Sequence, residues 1–301
     1  EQFIQNVIRP FIFLGSLACL YMTGAHEAIT PSTALWAYFL SVLITLSLLL
    51  IHSLRKLDLR RFTASGNTKR KWRKSLFLFA GIGGVDVILQ SFDTLMIGSI
   101  LSSEEVGVYR IGAVLGGLMA LPLAAVSAYA APFIVAVHTP SDTMRIQGLC
   151  LRMARYSLVA TIGLLSIAAF IGDWAINFIF GMQFSGSYEV WLILGVGSFF
   201  NAVFGLNKLI LMMNHNEGLV FRVFVYSAII NIIFNALFII QFGILGAAAA
   251  TTLSTIFWNI GLHVECRRLL GYGVAVFSRP LAVPGQLGTT SPEPNAPPEN
   301  T

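Results

Sequence analysis

The sequence predicts an all-helical protein that crosses a membrane about eight times. Hydrophobic residues make up 56% of the 301-residue chain and charged residues only 11%, whereas a soluble domain contains about 25% charged residues. The mean hydropathy is +0.76. The apolar residues are gathered into long runs, many of about 20 residues, which is the length of a helix that spans the hydrocarbon core. These three observations predict a polytopic membrane protein rather than a soluble globule with a large core.

Eight apolar runs are candidate membrane spans. In order along the chain they are 7–24, 33–53, 75–100, 107–137, 156–180, 190–212, 219–241 and 243–264. The first run contains Pro10, which suits the first turn of a helix. The fourth contains Pro122, so we expect a kink in that span. Only Phe242 separates the last two runs, which predicts a tight helical hairpin with Gln241 and Gly243 at the turn.

The segments between the runs alternate in charge, and this alternation predicts the orientation. The segment 54–74 holds nine basic residues and one acid, Asp58. Further arginines follow every second run: Arg145, Arg152, Arg155, Arg222, Arg267 and Arg268. The opposite loops carry glutamates: Glu27, Glu104, Glu105 and Glu189. Because an excess of Lys and Arg in short loops marks the cytoplasmic side, both ends of the chain are predicted to be cytoplasmic. We interpret 54–74 as a topology signal with some lipid contact, not as a nucleic-acid site.

The remaining features exclude several classes of protein. Cys19, Cys150 and Cys266 lie far apart in or beside apolar runs, which is neither a disulfide framework nor a metal-ligand spacing. No zinc, phosphate-loop or dinucleotide motif is present, so no cofactor of that kind is predicted. No signal peptide precedes the first run, and the chain starts at Glu1 rather than Met, so we expect a fragment whose natural start lies upstream. The Pro-rich segment 278–301 is expected to be disordered.

Polar side chains interrupt the third run on one side only. Asp86, Gln90 and Asp93 follow one another at i, i+4 and i+7, so they project from one face of a helix. Carboxylates inside a membrane face protein or water rather than lipid, and they mark functional sites. Asp93 is therefore a candidate functional residue. Asp86 is the weaker candidate and is expected to line a central cavity or to carry a proton.

Four polar side chains from three runs are predicted to share one depth in the membrane. Asp93, Asn231, Asn235 and Thr251 lie about six to ten residues from the outer ends of their runs, roughly 10–15 Å below the surface at about 1.5 Å per residue. One carboxylate, two amides and a hydroxyl are hard oxygen ligands, which suit Na⁺ or a proton site. The alternative is that the Asn and Thr groups only hydrogen-bond neighbouring helices.

An ordered set of segments resembles the polysaccharide and O-antigen flippases. The matching segments are 93–98 (DTLMIG), 105–110 (EVGVYR), 231–235 and 242–252, with 8–10 (IRP) at the start. The first two resemble the family's seventh-to-eighth helix signature, the next two its eleventh and twelfth helices, and the last the beginning of its fifth. The resemblance covers about residues 5–275. The family belongs to the superfamily that includes the lipid II flippases and the multidrug and toxin extrusion transporters.

The resemblance implies a fold of two six-helix lobes around a central V-shaped cavity. This chain would hold helices five to twelve and lack the first four. Residues 1–53 would then be two helices of an incomplete first lobe, 54–74 a basic cytoplasmic linker and 75–277 a complete second lobe, followed by the disordered tail.

The resemblance also implies an ion site. In the lipid II flippase branch, helices seven, eleven and twelve bind a sodium ion. The positions here that match its ligands are Asp93, Asn231, Asn235, the carbonyl of Ala247 and Thr251. Asn235 stands where that branch has an acid, which leaves one carboxylate for binding Na⁺.

The function implied by the resemblance is transport by alternating access in the plasma (bacterial inner) membrane. The substrate would be an isoprenoid-lipid-linked oligosaccharide or polysaccharide precursor, such as one for lipopolysaccharide, with Na⁺ or H⁺ as the coupling ion and no nucleic-acid partner. The candidate cavity-lining residues are Asp86, Gln90, Arg9, Arg110 and Lys208. The three cations among them are candidate contacts for the diphosphate head group.

Three alternatives stay open. A multidrug or organic-cation antiporter of the same superfamily would share this layout, and the acids of the third run favour cationic cargo. A membrane enzyme such as an O-antigen polymerase or ligase carries its catalytic groups on a large external loop, and the external loops here are short. A transport-inactive fragment or scaffold would explain the missing helices.

Overall fold

The computed structural model describes residues 9–22, 31–56, 66–135 and 140–279. The regular secondary structure of these residues is entirely helical, which confirms the predicted all-α class. The helices are α1 (Arg9–Met22), α2 (Pro31–Lys56), α3 (Gly66–Ile100), α4 (Ser103–Leu118), α5 (Leu121–Val135), α6 (Pro140–Phe180), α7 (Ser187–Phe204), α8 (Asn207–Met213) and α9 (Glu217–Leu270), with a short 3₁₀ turn at Met182–Phe184.

Several helices have the length and apolar character of membrane spans. Within the described ranges four qualify, namely Ser75–Ile100, Thr143–Phe180, Ser187–Phe204 and Glu217–Leu270. The pair α4 and α5, bent by 40°, makes a fifth if it is one span. The eight predicted runs exceed this count because α9 contains two of them in 54 residues, while α1 has only 14 residues and α2 a shorter apolar stretch. The chain is thus an all-helical integral membrane protein.

The chain divides into two compact units, Glu1–Arg70 and Lys71–Thr301. In the first unit α1 packs against α2, and the rings of Phe13 and Tyr38 meet edge to face with centroids 5.8 Å apart. Residues 57–65 of the predicted linker and 280–301 of the predicted tail lie outside the described residues. The assignment of the segments to two transporter lobes stays a prediction.

The long helix α9 folds back on itself at Gly243. This glycine has φ 59° and ψ −138°, a conformation in the left-handed half of backbone space that side chains disfavour. On either side of the turn the two halves run antiparallel, and the Ser227 hydroxyl donates to the carbonyl of Ser254 at 2.9 Å. Each half, 217–242 and 244–270, exceeds the roughly 20 residues that cross a bilayer. The predicted helical hairpin is confirmed.

The expected kink of the fourth run lies just before Pro122. Helix α4 ends at Leu118, and α5 starts at Leu121, so Pro122 occupies the first turn of α5. A proline is tolerated there because the first N–H groups of a helix have no intrahelical acceptor. The bend therefore separates two helices.

Helix α6 begins earlier than the sequence predicted. It starts at Pro140 rather than near residue 156, so the predicted loop with its three arginines is helical. Four residues of this part are buried at helical spacing: Gln147, Cys150, Leu151 and Ala154. The stripe i, i+3, i+4, i+7 is typical of an amphipathic helix. No continuous apolar run marks this part of the helix in the sequence.

The predicted run 190–212 is broken at Gly205. This residue has φ 66°, and a Cβ there would lie 2.9 Å from both the carbonyl oxygen of Val274 and the Cβ of Ala154. The chain after α9 returns to this break, where the N–H of Val276 donates to the carbonyl of Val203 at 2.9 Å. The break ends α7 and allows α8 to start in a new direction.

Candidate functional site

A cleft of about 460 Å³, lined by both polar and apolar residues, opens inside the second unit. It is formed by α3, α4, α7 and both halves of α9. Its polar and aromatic lining consists of Asp86, Gln90, Asp93, Tyr109, Arg110, Ser198, Asn201, Asn231, Thr251, Thr252, Ser254, Thr255 and Trp258. Three of the predicted cavity residues, Asp86, Gln90 and Arg110, are therefore part of its wall. The rest of the wall consists of apolar residues and glycines. Because charged and polar groups inside a membrane protein are expensive unless they are satisfied, the acids and amides among the lining residues point to a function.

Small residues bring α4 and α7 close together at one side of this cleft. A Cβ on Gly112 would lie 2.7 Å from the carbonyl oxygen of Ser187, and one on Gly116 would lie 2.9 Å from the Cβ of Leu194. Glycines four residues apart let two membrane helices approach closely. The start of α4 is held by a capping box between Ser102 and Glu105. Tyr109 and Arg110 follow within the next turns.

Asp93 is a buried carboxylate with three hydrogen-bond donors. It is 3% exposed. Its Oδ2 accepts hydrogen bonds from the hydroxyl of Tyr109 and, at 3.3 Å, from the hydroxyl of Thr251. Its Oδ1 accepts from the backbone N–H of Thr94 at 2.8 Å. These donors offset the cost of removing the carboxylate from water.

The two asparagines of α9 adjoin this carboxylate through Thr251. The Asn231 amide nitrogen donates to Thr251 Oγ1 at 3.3 Å, and the Asn235 amide nitrogen donates to the carbonyl of Asn231 at 3.0 Å. Both asparagines are almost completely buried. Asp93, Thr251 and Asn231 are therefore linked directly, and Asn235 lies one helical turn further along. The structure brings the side chains of Asp93, Thr251 and Asn231 together, and Asn235 is connected to them through the backbone carbonyl of Asn231.

The side-chain oxygens of the two asparagines have no partner among the described residues. Asn231 Oδ1 and Asn235 Oδ1 are both buried without a hydrogen bond. Buried polar atoms are normally paired, so two unpaired oxygens on the helix that adjoins Thr251 and Asp93 are of the kind that a small hard cation binds. Ala247, whose carbonyl was the fifth implied ligand, is fully buried in the same hairpin. In the described part of the chain, no cluster of three or more His, Cys, Asp or Glu residues could hold a metal ion.

Asp86 has a partner of the opposite charge. Lys208 Nζ, on α8, lies 3.8 Å from Asp86 Oδ2, with exposed fractions of 32% and 42% for the two side chains. The same ammonium lies 4.5 Å from the centre of the Phe224 ring. Lys208 itself is not among the cleft-lining residues. The side chain of Arg9, the last predicted cavity residue, lies outside the described side chains.

Tyr109 belongs to the site but was missed by the sequence reasoning. It is fully buried, and its hydroxyl donates to Asp93. A buried tyrosine hydroxyl usually has a hydrogen-bond partner, and Tyr109 is adjacent to Arg110 in an apolar run. A tyrosine next to an arginine inside an apolar run was the feature of the sequence that could have indicated Tyr109 as a site residue. The pairing with Asp93, sixteen residues earlier, depends on how α3 and α4 pack.

One curated protein gives a distant match to this chain. It is named "Probable low-salt glycan biosynthesis flippase Agl15", from Haloferax volcanii, and is 26% identical over 258 residues. The aligned region is 83% of this chain and 51% of the relative, so the chain spans about half the length of the curated relative that it matches. No family model matches the chain. No solved structure matches it either. This chain is similar to a protein named as a glycan biosynthesis flippase.

Proposed function

We propose that this chain is part of a membrane flippase for lipid-linked glycan precursors. The observation that supports the proposal most directly is the cleft with a buried, hydrogen-bonded carboxylate in a chain of membrane-length helices. The similarity to a glycan biosynthesis flippase adds the substrate class. A flippase is a transporter, so the proposal includes no enzymatic activity. It places the protein in the plasma membrane with both ends of this chain on the cytoplasmic side.

The cleft suits the physical problem that a flippase must solve. The sugar and its diphosphate have to leave water while the isoprenoid tail stays in hydrocarbon, so the passage needs polar groups that replace water. A volume of about 460 Å³ is in the range of ligand pockets. The guanidinium of Arg110 offers charge-assisted hydrogen bonds to a phosphate group. The head group would move past these groups by alternating access.

The finer part of the proposal is coupling to an ion. A Na⁺ ion or a proton would occupy the level of Asp93, with Asn231, Asn235, Thr251 and the Ala247 carbonyl as the remaining candidate ligands. The ion would join α3 to both halves of α9. Binding of the ion would shift the population between two arrangements of the helices. It would do so only to the extent that these oxygens lie closer together around the ion in one of the two arrangements.

A second candidate function is the export of organic cations. The charged side chains of the cleft are two carboxylates, Asp86 and Asp93, and one guanidinium, Arg110. Two carboxylates against one guanidinium in the wall favour positively charged cargo that displaces Lys208 from Asp86. The two functions differ in substrate and can be separated in one assay.

The test is a transport assay with the natural full-length protein in proteoliposomes. A fluorescent lipid-linked oligosaccharide is followed from one leaflet to the other, with and without a Na⁺ or proton gradient, and a cationic dye is tested in parallel. The proposal expects translocation of the glycan lipid and not of the dye. Transport of the dye alone would support the antiporter, and transport of neither would support an inactive fragment or scaffold.

The matched variants are Asp93→Asn and Asp173→Asn. Asp173 is an exposed acid on α6, so it controls for the loss of a carboxylate in general. Asp93→Asn is expected to lower gradient-driven transport about 5- to 150-fold, the usual size of a coupling between two sites. If Asp93→Asn and Asp173→Asn both kept wild-type transport and ion dependence, the ion site would be refuted.

A further inference from the structure

The cleft has three levels along the helix axes, and neither α3 nor α9 places a charged residue at the middle level. The first level contains Asp93 and Thr251, which are hydrogen-bonded. Seven residues from each of them, about 10 Å along both helices, the cleft contains Asp86 and Trp258. Between these levels, the residues of α3 and α9 that line the cleft are neutral.

Three neutral side chains converge on the middle level from three helices. Gln90 lies three residues before Asp93 on α3, about 4.5 Å along the axis, and Thr255 lies four residues after Thr251 on α9, about 6 Å along. Asn201 reaches the same level from α7. Its position follows from Gly197, one turn earlier, where an added Cβ would lie 3.3 Å from Thr252 Oγ1.

The amides of this level have unused hydrogen-bonding capacity. Within the described ranges, no protein group hydrogen-bonds to the side chain of Gln90 or of Asn201, although both line the cleft. The Thr255 hydroxyl donates to the carbonyl of Thr251 at 2.9 Å, so its oxygen can still accept. A side-chain amide offers two donors and two acceptor positions. The level therefore presents donors and acceptors side by side without charge.

The acids on either side are already engaged by the protein. Asp93 accepts three hydrogen bonds, and Asp86 is paired with Lys208. A cation at the middle level would therefore find no free carboxylate, and the cationic side chain of the cleft wall, Arg110, belongs to the helix turn of Tyr109 beside Asp93. A hydroxyl group donates and accepts at once, so a ligand with several hydroxyl groups matches these side chains best.

An aromatic ring adjoins the middle level. Trp258 lines the cleft one turn beyond Thr255 and is supported by Phe224, with ring centroids 5.1 Å apart and planes inclined by 49°. An indole ring offers an apolar face on which the C–H groups of a sugar ring can lie, while the amides meet its hydroxyl groups.

We propose that Gln90, Asn201 and Thr255, with Trp258 beside them, form a binding subsite for an uncharged, hydroxyl-rich sugar ring. The inference rests on the proposed function, because it names the part of the glycan head group that this level receives. The diphosphate is then held elsewhere in the passage.

The test uses neutral trisaccharides, maltotriose and triacetylchitotriose, with the full-length protein in lipid nanodiscs. Binding is measured by saturation-transfer difference NMR, with inorganic pyrophosphate as a charged competitor. The variants Gln90→Met and Asn201→Leu keep the shape of the side chain and remove the amide. Gln241→Met, at the exposed hairpin turn outside the cleft, is the matched control.

Each cleft variant is expected to weaken trisaccharide binding about tenfold, since one or two hydrogen bonds are lost. The control should bind like wild type, and pyrophosphate should not compete. Because Gln90 is exposed, Gln90→Met is expected to fold even if Asn201→Leu does not. In that case the binding measured for Gln90→Met tests the inference by itself.

Any of three binding results would overturn the inference: absence of trisaccharide binding to wild type, equal binding by wild type and Gln90→Met, or displacement by pyrophosphate. Its failure is separate from failure of the proposed function. Glycan-lipid translocation unchanged by both cleft variants would refute only the subsite. Trisaccharide binding that is lost in the cleft variants, in a protein that translocates no glycan lipid, would refute only the flippase.

Discussion

Replacing Gly246 with alanine is expected to open the hairpin that builds half of the candidate site. A Cβ on Gly246 would lie 2.1 Å from the carbonyl oxygen of Phe238 and 2.4 Å from its carbonyl carbon. An ordinary contact between carbon and a carbonyl oxygen is about 3.3 Å, so the two halves of α9 would have to separate by roughly 1 Å. Both obstructing atoms are backbone, and no change of side-chain rotamer can relieve the clash.

The size of the effect follows from two opposing terms. Overpacking in a close-packed interior costs about 1–3 kcal/mol and occasionally more, and a backbone clash belongs at the upper end of that range. Alanine regains about 1 kcal/mol over glycine through its helix propensity. The net loss is therefore about 2 kcal/mol, which corresponds to a melting temperature roughly 4–8 °C lower for a unit of about 200 residues.

The assay is the melting temperature of the purified protein, read as the fraction that stays monodisperse after heating. Gly163→Ala on α6 is the matched control, because Gly163 is exposed and nothing lies within 4 Å of an added Cβ. That variant should melt at or slightly above the wild-type temperature. If Gly246→Ala also melted at or above the wild-type temperature, the closeness of the two halves of α9 would be refuted.

Two further predictions concern the acids of the cleft. Tyr109→Phe removes a donor from the buried carboxylate of Asp93 and should destabilise the protein by about 1–3 kcal/mol; thermal melting checks this, and unchanged stability would contradict the hydrogen bond. Lys208→Met and Asp86→Asn each should cost less than about 1 kcal/mol, because the pair is partly exposed. A double-mutant cycle should give a coupling below about 1 kcal/mol, and a larger coupling would show that the pair is better shielded from water than its exposure indicates.

The sequence predicted those features of the fold that depend on short-range periodicity. The long apolar runs indicated an all-helical membrane protein, and the single residue between the last two runs indicated the hairpin at Gly243. Two features of the fold were not predicted. Residues 140–155 form an amphipathic helix that no continuous apolar run reveals, and the break at Gly205 depends on a close approach by Val274.

For the candidate site, the sequence by itself determined which polar residues the helices carry and how far each of them lies along its helix. The spacing of Asp86, Gln90 and Asp93 places them on one face of α3, because the period of a helix is a local property of the chain. Residue counting also placed Asp93 and Thr251 at one depth, and the structure joins them by a hydrogen bond of 3.3 Å. The number of residues gives the position along the helix axis because a helix rises by a constant increment of about 1.5 Å per residue.

Only the tertiary structure decided which side chains meet across helices. Depth along an axis says nothing about rotation around it, so sequence could not select Tyr109 as the donor to Asp93 or Lys208 as the partner of Asp86. These pairs depend on how α3, α4 and α8 pack. Helix packing also decides which polar side chains are satisfied, and among the described residues the amides of Gln90 and Asn201 line the cleft without a hydrogen-bond partner.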